Sequence, residues 1–324
     1  MSGPTVSTLI VSWNNRGFLG RCLESLPKGT EAVVVDNASS DGSAEFIAEQ
    51  FPDVKLVRLE RNVGFGAGVN RAFAEATGEY LLLLNPDAEA TPRSVEALAT
   101  FLDEHATCGA ATGRLLSMIE EPQHGFNVRR LPTYSSVAAD LLLLSYIWPT
   151  NWVTRRAAFA DLDETRPTTV EQPAAACLMI RRRAFEQVGG MDERFFPAWF
   201  EDVDLCKRLI EAGWTIFFVP RGVFRHIGGS SVRRLGRARM KHLFYRNMER
   251  YMRKHHGRVG GAITRALIVA GMALRTAASA FKGDAQGARV FAGVMRNALG
   301  GWAREIPPEP VPRLREPAGS SSGA

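Results

Sequence analysis

Glu79-Tyr80-Leu81-Leu82-Leu83-Leu84-Asn85-Pro86-Asp87 decides the fold. Four successive leucines, entered from Thr77-Gly78, read as a short strand buried on both faces, as in the interior of a parallel sheet. Asn-Pro-Asp stops it, because proline has no N–H to give the ladder. Asp87 is therefore expected just past the carboxyl end of a central strand, the edge at which open α/β sheets bind ligands. A carboxylate there suits a divalent cation with phosphate oxygens on its far side. A solvated turn aspartate would explain the same three residues, so their neighbours decide.

Upstream, Val6 to Val11 is an apolar, β-branched first strand broken by Ser12-Trp13-Asn14-Asn15. Phe18, Leu19, Cys22, Leu23 and Leu26 recur at helical spacing. Ala32 to Val35 is a second buried strand, ending at Asp36-Asn37. Ser39-Ser40-Asp41-Gly42-Ser43 caps a helix running to about Phe51. Val54 to Leu59 is a third strand, and Asn62-Val63-Gly64-Phe65-Gly66 leads into a helix through Asn70 to Ala76. After the leucine strand, Thr91-Pro92 opens another helix, with proline at its first position. Strand and helix alternating at this pitch predict an α/β fold, a mostly parallel sheet with helices on both faces.

Asp36 and Asp87 then end two strands on one edge. A nucleotide offers such a pair a ribose hydroxyl and a metal-bound diphosphate. Asp36 can accept hydrogen bonds from ribose or base, and Asp87 can hold the cation. No Gly-x-x-x-x-Gly-Lys loop is present, which argues against a P-loop ATPase. Gly64-Phe65-Gly66-Ala67-Gly68 follows the third strand, so it is a poor dinucleotide fingerprint.

Val11-Ser12-Trp13-Asn14, Val35-Asp36-Asn37-Ala38-Ser39-Ser40-Asp41-Gly42, Asn62-Val63-Gly64-Phe65 and Asn85-Pro86-Asp87, in that order, resemble the family 2 glycosyltransferases of GT-A fold. The wording is nearest the rhamnosyltransferase-like branch that builds lipid-linked polysaccharides, and the likeness covers about residues 5–230. The resemblance implies that Trp13 and Asp36 lie against the donor's base and ribose, with Asn37 also among the donor-binding residues. It implies that Asn62, Gly64 and Asn70 shape the donor pocket. Asn85-Pro86-Asp87 stands where many relatives have Asp-x-Asp. With Asn85 in place of the first carboxylate, a Mg²⁺ or Mn²⁺ ion depends more heavily on Asp87.

Gly113 to about Glu171 shows no regular pattern. Ala175 to Ile180 reads as a strand, and the helix from Glu201 carries Leu205 and Leu209 four apart, with Gly213 past its end. Asp202 falls on the inward side of its first turn, preceded by Phe195-Phe196-Pro197-Ala198-Trp199-Phe200. Acids favour helix N-termini through the dipole, which would also keep Asp202 ionised, as a general base must be. In similar glycosyltransferases the Asp of this Glu-Asp pair deprotonates the acceptor hydroxyl. That role is carried to Asp202, with Glu201 positioning the acceptor or its loop. Thr215 to Val219 reads as a strand, and a Gly-Gly-Ser-Ser loop after His226 could approach phosphate closely. In similar enzymes a histidine here joins the Asp as a metal ligand, which implicates His226.

Net charge is +6, but Arg221 to Arg258 holds 12 Lys/Arg and the single acid Glu249, leaving 28 basic and 33 acidic residues elsewhere. That segment calls for an anionic partner: an anionic membrane surface or a lipid diphosphate. No signature of nucleic-acid binding accompanies it. Arg233 to His256 is expected to be a helix. Val259 to Phe281 is expected to be an amphipathic helix, lying in the membrane interface, packed on the catalytic domain, or pairing two subunits of a homodimer. Four scattered cysteines read as reduced, buried thiols. Met1-Ser2-Gly3-Pro4 shows no secretory signal.

The expected organisation is a catalytic domain over 1–231 (donor half 1–113, acceptor half 114–231), a basic helical extension over 232–304, and a Pro/Gly/Ser-rich disordered tail over 305–324. The expected activity is inverting transfer of one sugar, L-rhamnose from dTDP-rhamnose, from a nucleoside-diphosphate sugar to a polyprenyl-diphosphate-linked glycan acceptor. The setting is the inner face of the cytoplasmic membrane, in cell-wall or surface polysaccharide synthesis. Two rivals remain: a sugar-phosphate nucleotidylyltransferase, and a nucleotide-sugar-binding protein without turnover.

Overall fold

The computed structural model describes residues 5–228 and 235–302. Most of the Gly-Gly-Ser-Ser loop after His226 and the tail at 305–324 lie outside the described residues. β1 (Val6–Ser12), α1 (Arg16–Glu24), β2 (Glu31–Asp36), α2 (Ser43–Gln50), β3 (Lys55–Arg58), α3 (Phe65–Glu75) and β4 (Tyr80–Leu84) alternate as the sequence predicts. The four strands are mutually parallel in the order β3-β2-β1-β4. Tyr80, Leu82 and Leu84 enter one core with Ile10, Val34 and Met179. Leu81 and Leu83 enter the opposite core with Leu9, Val33 and Ile180. Each of these leucines is fully buried, and burial of each contributes about 2 kcal/mol of transfer free energy.

The remainder departs from a simple parallel sheet. β5 (Ala88–Ala90), α4 (Ser94–Glu104) and β6 (Cys108–Leu116) follow. The helix after Thr91-Pro92 begins at Ser94, so Pro92 lies before it and not at its first position. β6 is a nine-residue strand that the sequence pattern does not mark, because Cys-Gly-Ala-Ala-Thr-Gly offers neither β-branched runs nor alternation. The irregular region resolves into β7 (Val128–Arg129), α5 (Tyr134–Leu141), α6 (Leu144–Ile147), α7 (Trp152–Ala157), β8 (Thr168–Thr169) and β9 (Gln172–Pro173). Then come β10 (Cys177–Arg181), α8 (Arg182–Gln187), α9 (Glu201–Glu211) and β11 (Thr215–His226). β10 runs antiparallel between β4 and β6. The nine-stranded sheet is therefore mixed, ordered β3-β2-β1-β4-β10-β6-β11-β5, with β8 paired to β11. β11 does not end at Val219. A register shift between Phe218 and Val223 absorbs Pro220-Arg221-Gly222, and pairing resumes as far as His226, as a β-bulge allows.

A helical layer completes the chain: α10 (Arg237–Phe281) and α11 (Ala285–Leu299). Gly257, at φ 71° and ψ −173°, breaks α10 into two arms, a conformation open to glycine at little cost. By length and composition alone, α10 is apolar enough to cross a membrane. Its second arm nevertheless packs on protein along one side. Gly260, Gly261, Thr264, Ile268, Gly271 and Met272 are buried, and Arg275 bonds the carbonyls of Leu141 and Asp140 at the end of α5. The resulting core joins Met248, Tyr251, Ile268 and Val294 to Phe195, Phe200 and Val203 from around the start of α9.

Glu249, 2% exposed, ties this layer together. It accepts from Arg265 Nη2 at 2.8 Å and Trp302 Nε1 at 2.7 Å, and pairs with Arg253. Burial alone would raise its pKa, but these donors hold it below the ordinary carboxylate value. Glu249→Ala is expected to lower stability by about 2–3 kcal/mol at neutral pH, near the low end for a broken buried pair because both arginines reach water. Since the native carboxylate has the depressed pKa, that stability is present above the unfolded pKa and lost as pH falls. Urea titrations at neutral and acid pH should show the deficit shrinking in acid.

Candidate active site

The end of β4 is built as a tight turn. Asn85 N–H donates to Ala176 O at 3.0 Å, and Ala88 N–H returns to Asn85 O at 3.0 Å. β5 then pairs antiparallel with the end of β11, setting His226 opposite Ala88. Ile227 N–H donates to Asp87 O at 3.1 Å. This register brings His226 Nε2 to 3.4 Å from Asp87 Oδ1, with both side chains almost fully buried. Gln123 grips the same histidine twice. Its Nε2 donates to His226 O at 2.6 Å, so its Oε1 is the atom facing His226 Nδ1 at 3.1 Å. Nδ1 then carries the proton, and Nε2 turns its lone pair toward Asn85 Nδ2, at 3.2 Å, and Asp87. Phe126 stacks on the ring.

A carboxylate and an oriented imidazole lone pair fit one divalent cation. Among the described residues no group of three or more His, Cys, Asp or Glu could hold a metal. These two ligands would therefore leave most of the coordination sphere to phosphate oxygens and water, the usual state of a nucleotide-bound Mg²⁺.

Trp13, Asn37, Asn62, Gly64, Asn85, Asp87, Glu201, Asp202 and His226 all line one cleft of about 500 Å³. Asn37 organises the end of the cleft at β2. Asn37 Oδ1 accepts from Val63 N–H at 2.8 Å, while Asn37 Nδ2 donates to Asn62 Oδ1 at 3.2 Å and Gly64 O at 3.3 Å. Gly64 sits at φ 88°, and a Cβ there would fall 2.9 Å from both the Phe196 ring and Pro197 O. Only glycine lets this loop meet the aromatic turn. Asp36 stands just behind the lining. Its Oδ2 accepts from Ser39 N–H at 3.1 Å, but its Oδ1 is buried without a partner, an acceptor suited to a ligand hydroxyl.

Asn70 departs from the expectation. Its amide donates to Met191 O and Glu193 Oε1 and accepts from Met191 N–H, all near 3.0 Å. It pins α3 to the turn after α8 and does not line the cleft.

Another wall of the cleft is formed by the aromatic turn and α9. Trp199 and Phe200 both adopt positive φ, 72° and 71°, which costs a bulky residue energy that surrounding contacts must offset. The offset comes from α10. Asn247, fully buried, directs its Nδ2 at the carbonyls of Ala198 (2.9 Å), Phe196 (3.3 Å) and Trp199 (3.3 Å). Asp202 Oδ1 accepts from Val203 N–H at 2.8 Å, and its Oδ2 faces Ala175 N–H at 3.4 Å.

The helix N-terminus does not keep Asp202 at an ordinary pKa. Burial raises it, and the Val203 N–H and the charge of Arg129 only partly offset the rise. Glu201 is pushed well above the carboxylate range, first by burial and then by the neighbouring Asp202 charge, and its Oε2 is buried without a partner. Asp204, the third acid of the turn, is the reverse case. Burial would raise it too, but His255, Lys254 and Arg208 bond it and lower its pKa. Phe126 and Arg129 line the cleft, and Gln123 holds His226 from behind it, without any periodicity or motif in the sequence to mark them.

Residues 7–163 match the model of glycosyl transferase family 2, and residues 163–229 match that described as the N-terminal domain of galactosyltransferase. The N-acetylglucosaminyl-diphospho-decaprenol L-rhamnosyltransferase of Mycobacterium tuberculosis is 31% identical over 234 residues, covering 67% of this chain and 74% of that protein. The chain belongs to glycosyl transferase family 2. Rhamnosyltransferase WbbL of Escherichia coli is 25% identical, covering 66% of this chain and 80% of its own.

Among solved structures, GalNAc-T7 with UDP, GalNAc and Mn²⁺ aligns at TM-score 0.56 and 20% identity, over 78% of this chain and 47% of that one, so the chain spans about half its length. A Pyrobaculum calidifontis mannosyltransferase with GDP-Man and Mn²⁺ aligns at 0.53 and 17% identity, over 94% and 88%. The fold is GT-A and the protein is a glycosyltransferase of the rhamnosyltransferase-like branch. This assignment excludes the nucleotidylyltransferase reading.

Glu201→Gln is expected to retain the fold and to change its pH response. With a raised native pKa, wild-type stability is greatest below the unfolded glutamate pKa and falls as pH rises toward the native one. The glutamine variant lacks that fall, so the variant-minus-wild-type difference in denaturant midpoint should grow more positive between acid and neutral pH. A constant difference across that range would show that Glu201 titrates normally.

Proposed function

We propose that this glycosyltransferase inverts configuration, moving one sugar from a nucleoside-diphosphate donor to a polyprenyl-diphosphate-linked glycan at a membrane surface. By likeness to the M. tuberculosis relative and WbbL, the sugar is L-rhamnose, carried as dTDP-rhamnose. One observation carries the reading: the Asp202 carboxylate shares a cleft with the Asp87–His226 pair.

The donor's base and ribose lie along Trp13, Asn37 and Asn62, with the unpartnered Oδ1 of Asp36 buried just behind them. The acceptor hydroxyl enters beside Asp202 and the aromatic turn. As its oxygen bonds to the anomeric carbon, the bond to the diphosphate breaks on the opposite side, and the proton passes to the Asp202 carboxylate. A raised pKa makes Asp202 a stronger base toward the acceptor hydroxyl. Glu201, kept neutral by burial, places no second charge against it and can donate a hydrogen bond to the acceptor. A Mg²⁺ or Mn²⁺ ion held by Asp87 and His226 would neutralise charge on the departing diphosphate.

Calorimetry with dTDP-, UDP- and GDP-sugars, with and without Mn²⁺ or Mg²⁺, is the direct test. One donor class should bind with metal dependence, and Asp87→Ala should weaken it at least tenfold. Equal binding with and without metal would remove Asp87 and His226 from that role. Asp202→Asn is expected to keep donor binding and lose about 10²–10⁴ in kcat. In the wild type, the acid limb of kcat/KM should lie above the ordinary aspartate range, activity falling as pH drops through the raised Asp202 pKa. Full transfer by Asp202→Asn would assign the base elsewhere.

A further inference from the structure

We propose that the surface formed by α6, the start of α7 and the end of α10 docks on an anionic phospholipid bilayer. Tyr146, Ile147, Trp148 and Trp152 are 76%, 75%, 59% and 72% exposed within seven residues of chain, and Phe281 is 95% exposed. A monomeric soluble surface rarely gathers so many large apolar groups in one place. The two sequence-distant segments meet, because Lys282 Nζ lies 5.9 Å from the centre of the Tyr146 ring. The patch is presented rigidly. Asn151 caps α7 at Thr154 N–H (2.9 Å) and also bonds Trp148 O, while Thr154 Oγ1 donates to Ser145 Oγ at 3.0 Å.

The chemistry selects the occupant. Tryptophan and tyrosine carry an apolar body with one polar atom, which suits the headgroup level of a bilayer. Arg155, Arg156 and Lys282 border the aromatics, all exposed, and among the described residues none forms an ion pair. No acidic residue occurs between Asp140 and Asp161. Cations beside an aromatic cluster complement anionic headgroups. The second arm of α10 buries one side, with Ile268 and Met272 inward, and its exposed side carries Val259, Ile263 and Leu274 without a tryptophan or tyrosine among them.

The patch also adjoins the site. Ser136, Val137 and Asp140 of α5 and Ala157 of α7 line the catalytic cleft, so a bilayer against α6 would lie beside the wall where the acceptor enters. This placement deepens the reading of a lipid-linked acceptor and rests on it. The binding test uses neither donor nor acceptor, so the two proposals can fail separately.

The full chain is floated with vesicles of phosphatidylcholine alone and of phosphatidylcholine with phosphatidylglycerol. Wild type is expected to float with the anionic vesicles and at least fivefold less with the neutral ones. The triple substitution Ile147→Ser, Trp148→Ser, Trp152→Ser should lower partitioning at least tenfold. Arg155→Glu with Arg156→Glu should abolish the anionic preference. Nucleotide-sugar binding measured by calorimetry should be unchanged in both variants. Should the triple variant fail to fold, bilayer-embedded brominated lipids should quench the wild-type tryptophan fluorescence, and Trp152→Ser should reduce that quenching. Absence of flotation with either vesicle, unquenched fluorescence, or a folded triple variant that floats like wild type would each overturn the proposal. So would a wild-type dimer in sedimentation that the triple variant splits without any vesicle binding, which would give the face to a second copy of the chain.

Discussion

A strand buried on both faces has no tolerance for polar atoms, so its end is a sharp boundary. Leu83 and Leu84 are the last residues of β4, each packed into one of the two cores. Past them, Asn85 is half-buried and Asp87 nearly enclosed, and both must find partners. The rest of the fold supplies them in order. β5 turns back at once, the bulged end of β11 pairs with it, and His226 arrives opposite the turn. Gln123, from a region without regular pattern, fixes the ring from behind. The metal-competent pair is thus a consequence of where the leucine strand stops.

The helical layer at the other end is part of the site. The aromatic turn before α9 holds two non-glycine residues at positive φ and would relax if left alone. Asn247 collects its carbonyls, and Arg246 Nη2 donates to Phe196 O at 2.7 Å. His255 and Lys254 reach Asp204 on α9 itself. Most of these contacts come from the basic run that the sequence suggests has an anionic partner. Several of its cations are already committed to backbone carbonyls and buried carboxylates. The exposed cations that flank the aromatic patch lie elsewhere, on α7 and after α10.

What could be read in advance follows from this distinction. β1, β2 and β4 and helices α1 and α3 were legible because each carries its burial pattern in its own residues. The strand-end positions of Asp36, Asn37 and Asp87 came with them. β6 was not legible, since a strand of Gly, Ala, Cys and Thr owes its place to the neighbours on either side. From the sequence β11 reads as ending at Val219, because a bulge is a property of two strands. Gln123, Arg129 and the true role of Asn70 depend on contacts across the fold, 103 residues apart for Gln123 and His226 and 121 for Asn70 and Met191. No local window contains them.

The three acids at the start of α9 show how far a local rule reaches. The helix dipole treats Glu201, Asp202 and Asp204 alike, favouring the charged form of each. Their surroundings do not. Asp204 is bonded by His255, Lys254 and Arg208, which lower its pKa; Glu201 is buried beside a neighbouring carboxylate, which together raise its pKa well above the ordinary value; Asp202, with one good N–H donor and a more distant arginine, lies between. A general base needs that middle position, because a fully paired carboxylate is too weak to take a proton and an unpaired buried one already holds it. The dipole can place three carboxylates in one turn, but only the tertiary packing of α10, β7 and the aromatic turn makes one of them suited to the chemistry.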